Sequence, residues 1–180
     1  LRVYIEWRGE TNITLKELGE KVERILYKMG FSLKTEGLAE ALKPRGRGEV
    51  ASISLFYSVL QPMSDECVLA LLARYLPRDS DGVEVVKHVA EEGFVDLKQL
   101  ASLMLWLMNV MNYKVINIGL VEDLETGEKL FVTVHVDDCG WEEWKNIARS
   151  VKKRLVEEGF EDLAKRVAMI CDKALQTQRS

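Results

Sequence analysis

At 180 residues, with 47% apolar side chains, the chain can bury one core without disulfide or metal staples, so one α+β domain spanning residues 1–180 is expected. A net charge of −4 disfavours a broad nucleic-acid-binding surface, and no stretch supplies the ~20 consecutive apolar residues of a membrane span. Cys67, Cys139 and Cys171 are scattered and odd in number, so neither a disulfide framework nor a metal knuckle is read, and a reducing, cytoplasmic setting is expected.

Leu1 to Trp7 reads as a strand opening and not as a signal peptide; the strand runs Arg2 to Arg8. Thr14 and Glu17 form a capping box, Ile13 and Leu18 a hydrophobic staple, and Gly30 ends the helix they start. The stretch 31–44 carries mixed signals. Lys43-Pro44-Arg45-Gly46-Arg47-Gly48 follows, three cations on a glycine-rich loop. Lys43, Arg45 and Arg47 are the candidate anion-binding residues, suited to a phosphate or an RNA backbone, the one place where nucleic acid would fit. The loop precedes a predicted strand and lacks the Gly-Lys-Ser/Thr ending of a phosphate-binding P-loop.

Alternation over Val50 to Leu60, with Ala51, Ile53, Leu55, Tyr57 and Val59 on one side, predicts a second strand. Ser64 opens a helix to about Leu76, and Asp81 with Glu84 caps another that ends near Gly93. Asp79-Ser80-Asp81 resembles the start of a calcium loop, but Ala90 stands where the closing carboxylate belongs. Asp96 caps a helix over 97–112 that is apolar around almost its whole circumference, so it belongs in the core or against a second subunit. The segments 91–97 and 157–163 echo each other. Both read as a glycine C-cap, a phenylalanine and an aspartate N-cap.

The hairpin over Lys114 to Asp138 is the most specific pattern. Ile116, Ile118 and Leu120 must share a buried face with Leu130, Val132, Val134 and Val136, which pairs even positions with even positions. A three-residue loop, Glu125-Thr126-Gly127, gives that register. His135 then faces Asn117, beside Thr133 and Gly119. Two helices, Trp141 to Glu158 and Asp162 to Gln176, close the chain. The expected fold is a roughly four-stranded, largely antiparallel sheet covered on one face by helices, with 141–180 a candidate helical appendage. The low count of four Gln and five Asn against 25 basic and 29 acidic residues leans thermophilic.

Candidate chemistry gathers at the end of the hairpin. His135, Asp137 and Asp138 would suit a divalent first-row metal. Cys139, just before a helix start, would be a nucleophile with His135 as its base. The plainer reading makes these residues strand end, turn and cap. Two functions follow. The first is a non-enzymatic, self-associating assembly module without a cofactor, whose partner is another protein or a second copy. The second is a small metal- or thiol-dependent enzyme acting on an anionic ligand.

Overall fold

A computed structural model describes residues 52–137 and 139–172. The predicted strand Arg2 to Arg8, the helix from Thr14 and the basic loop 43–48 lie outside the described residues, as does Asp138. Among those described, six helices accompany a three-stranded sheet: α1 Ile53–Leu60, α2 Asp65–Tyr75, α3 Gly82–Glu91, α4 Leu97–Asn109, β1 Val115–Glu122, β2 Lys129–Val136, α5 Trp141–Glu157, α6 Glu161–Arg166 and β3 Val167–Cys171. The α+β class holds. Among the described residues the sheet has three strands in the order β1-β2-β3, antiparallel between β1 and β2 and parallel between β2 and β3, against an expected four, mostly antiparallel.

Two predicted elements change type. The stretch read as a strand over Val50 to Leu60 forms α1. Ser52 Oγ accepts the Leu55 N–H at 3.2 Å, and Ile53, Phe56 and Leu60, at helical spacing, are buried. A remote cap completes it: the Glu158 carboxylate accepts the N–H groups of Ile53 at 3.1 Å and Ser54 at 2.8 Å. A carboxylate on free N–H groups at the positive end of a helix dipole is a favourable placement, and it came from 104 residues away. The second closing helix, expected to run to Gln176, stops at Arg166, and the chain continues as β3 over Val167–Cys171; residues 173–176 lie outside the described residues. Five apolar residues, Val167 to Cys171, satisfy a buried strand as well as a helix face, and periodicity alone does not separate the two.

α4 lies at the centre as expected. Leu100, Leu103, Met104, Leu105 and Leu107 are at most 1% exposed, with α1, α2, α3 and β1 packed around them. Asp96 caps α4 by accepting the Gln99 N–H at 2.9 Å. Asp81 does not cap α3 with its side chain; Ser80 Oγ accepts the Gly82 N–H at 3.0 Å in its place.

Both halves of the repeated segment begin as the same helix stop. Gly93 (φ 73°) and Gly159 (φ 86°) take the left-handed conformation, while Phe94 and Phe160 donate back to Val89 and Leu155. The likeness ends there: Asp96 caps the next helix and Asp162 does not.

Candidate active site on the open face of the sheet

The hairpin register is the one the alternation demands. Ile118 pairs with Val134, Leu120 with Val132, Asn117 with His135 and Gly119 with Thr133. It is reached differently from the expectation. Asp123 N–H donates to Glu128 O and Gly127 N–H to Asp123 O, both at 2.8 Å, closing a four-residue loop, Leu124 to Gly127. An irregularity between Val121 and Glu122 absorbs the extra residue and restores the even pairing; a second sits near Ile116. Val132, Val134, Val136, Ile118, Met169 and Cys171 are buried on one face. Asn117, Gly119, Val121, Phe131, Thr133, His135, Ala168 and Ile170 register on the other, which is the more open.

On that open face a short relay is assembled. Thr133 Oγ1 lies 3.0 Å from His135 Nε2, and His135 Nδ1 lies 3.0 Å from Asp172 Oδ1. A carboxylate beside Nδ1 selects the tautomer with its proton there, since only an N–H can bond an ionised carboxylate. Nε2 then keeps a lone pair and accepts the threonine O–H. This is the order of roles in a hydroxyl–imidazole–carboxylate triad, which is recognised by geometry and not by position in sequence. The His135 side chain is 25% exposed and Asp172 38%, while Thr133 as a residue is 5% exposed.

Gly119 makes room for this arrangement. A Cβ at that position would stand 2.6 Å from Thr133 Oγ1 and 3.3 Å from His135 Nε2. On the β1 side, then, it is a glycine that stands opposite Thr133. Asn117, across from His135, is occupied elsewhere: its Oδ1 accepts the Ile118 N–H at 2.9 Å and the Ser80 hydroxyl at 2.8 Å. Together with the start of α3 this blocks the outer edge of β1 against another strand. On β3, Met169 O accepts the Trp144 indole N–H at 2.7 Å, so α5 covers that side.

Of the expected site residues, Lys43, Arg45, Arg47 and Asp138 lie outside the described residues. His135 keeps its place, but Asp172, and not Asp137, meets its ring. Both ring nitrogens are engaged, so a metal there would have to displace Thr133 or Asp172. Among the described residues no group of three or more His, Cys, Asp and Glu side chains could hold a metal ion. Cys139 is not a thiol: it is disulfide-bonded to Cys171, which corrects both the nucleophile and the reading of three unpaired cysteines. The cause is β3, whose register sets Cys171 beside Val136, three residues before Cys139. Cys67 is free and buried on α2. His88 lies on the exposed side of α3 beside Glu92. Thr133 carried a signal in the alternation, since it shares the face of His135. Asp172 carried none, because 162–176 read as helix gives it no register beside the hairpin.

No family model, no curated protein and no solved structure matches this chain. Among the described residues no helix is long and apolar enough to cross a membrane.

Proposed function

We propose that the protein is a small hydrolase of acyl esters or thioesters, with Thr133 as nucleophile, His135 as general base and acid, and Asp172 as the group that orients the imidazole. The observation that carries this reading is the unbroken contact from Thr133 Oγ1 through His135 to Asp172 Oδ1. In the first step Thr133 Oγ1 attacks the acyl carbon while its proton passes to His135 Nε2. That proton then goes to the leaving oxygen or sulfur, and the acyl group stays on Thr133. Water, deprotonated by the same nitrogen, releases the acid and restores the hydroxyl. Val121 and Phe131, a cross-strand pair on the same face and each 42% exposed, offer an apolar floor two residues from Gly119 and Thr133, which favours an apolar acyl group.

The test is turnover of a p-nitrophenyl ester of medium chain length. Thr133→Ala and His135→Ala should each remove activity by about 10³-fold or more, and Thr133→Ser should retain it. Equal turnover in Thr133→Ala and the parent would end the proposal.

A second reading has its own support. Leu124 is fully exposed at the hairpin tip, with Leu130 and Phe131 close by in sequence and also exposed. A second copy seated on this tip would make the protein a self-associating module. Because the β1 edge is blocked, the contact would be face to face and not strand to strand. Light scattering after chromatography should then report twice the chain mass, reverting to the monomer in Leu124→Glu.

A further inference from the structure

We propose that the Cys139–Cys171 disulfide controls the relay by holding Asp172 against His135, so that the site responds to thiol–disulfide exchange. This rests on the reading of Thr133 and His135 as the reacting pair. Val136–Cys171 is the last registered pair between β2 and β3, and Asp172 is the next residue. The end of the parallel ladder and the covalent bond from Cys171 to Cys139 both anchor the residue just before it, while Asp172 itself is already helical. Thr133 and His135 are different. Both sit on β2, which is paired on both sides, so their contact does not depend on the end of β3.

Reduction would act on one leg of the relay alone. A dithiol donates two electrons and two protons: its thiolate attacks one sulfur of the bond, a mixed disulfide forms, and the second thiol closes the reductant's own disulfide. Cys139 and Cys171 are left as thiols. Cys139 is 3% exposed and Cys171 fully buried, so exchange needs a local opening around the bond; the opening this inference requires is a lifting of the β3 end, which would carry Asp172 away. Without Asp172 the imidazole loses the partner that fixes its tautomer, and Nε2 no longer stands ready to take the threonine proton.

The experiment compares oxidised protein with protein held in dithiothreitol, at a temperature where circular dichroism reports both folded. The first readout is the ring-nitrogen NMR spectrum of His135. The oxidised form should carry its proton on Nδ1, and the reduced form should lose that preference. The second is ester turnover, which should fall at least about tenfold on reduction, inside the ~10⁴-fold range known for loss of the carboxylate from such a triad. Cys139→Ser should show the reduced level with or without reductant. An unchanged tautomer with unchanged turnover would overturn the inference and leave the proposed hydrolase standing. A tautomer that responds in a protein whose turnover survives Thr133→Ala would uphold the redox coupling and reject the hydrolase. If the reduced chain folds at no temperature, the bond is a structural staple and the inference fails.

Discussion

Gly119 shows how little separates a site from a sheet surface. One added carbon at this position would fall 2.6 Å from the Thr133 hydroxyl, closer than atoms approach without something moving. Gly119→Ala should therefore lower ester turnover at least about tenfold while costing only about 1–3 kcal/mol of stability, since it adds a methyl to a packed region and removes no polar group. A denaturant melt beside the kinetic assay checks both parts. Glu158 is a second residue with more than one partner. Burial pushes its carboxyl upward, but the N–H bonds from Ser54 and Ile53 and the Arg154 guanidinium at 2.7 Å outweigh that and hold it below its ordinary 4.5. A depressed acid contributes its stabilisation above the unfolded value and loses it as pH falls through the folded one. Glu158→Gln should cost about 1–2 kcal/mol at pH 7, and the gap from the parent should close as pH is lowered from about 5. Urea midpoints across that range measure it.

At the scale of elements, the hairpin was the most legible part of the sequence. Two alternating arms allow one register, and the loop proved less informative than the arms: a turn one residue longer was accommodated by an irregularity. α4 was equally legible, because an apolar surface all round leaves only the core. Leu103→Ala should cost about 2–5 kcal/mol, read from a thermal or urea melt. α1 was misread because Ser52 to Leu60 fits both periods, and the cap that favours helix, Glu158, is far away in sequence. β3 was misread for a related reason. Its five apolar residues become a strand only because β2 offers an edge, and that pairing is invisible to any local window. The cost of the error was the site itself: once β3 is taken for helix, neither the disulfide nor Asp172 can be placed. The disulfide, joining residues 32 apart, should add about 3–4 kcal/mol by restricting the unfolded chain, so Cys171→Ala should lower the melting temperature by many degrees.

For the whole molecule, the fold divides the sheet's labour. One face supplies the valines, Ile118, Met169 and Cys171 to a core shared with α4, and the other presents polar groups on an apolar ground. α3 and Asn117 at one edge, and α5 through Trp144 at the other, limit access from the sides. Among the described residues, the more exposed face carries His135, Val121 and Phe131, with Thr133 nearly buried between them. In the proposed hydrolase Thr133 carries an activated hydroxyl. Covalent labelling tests it most directly: the protein is incubated with a fluorophosphonate, digested and mapped by tandem mass spectrometry. A phosphonyl adduct is expected on Thr133 and should disappear in His135→Ala. No adduct on Thr133, or one that persists without the histidine, would contradict it.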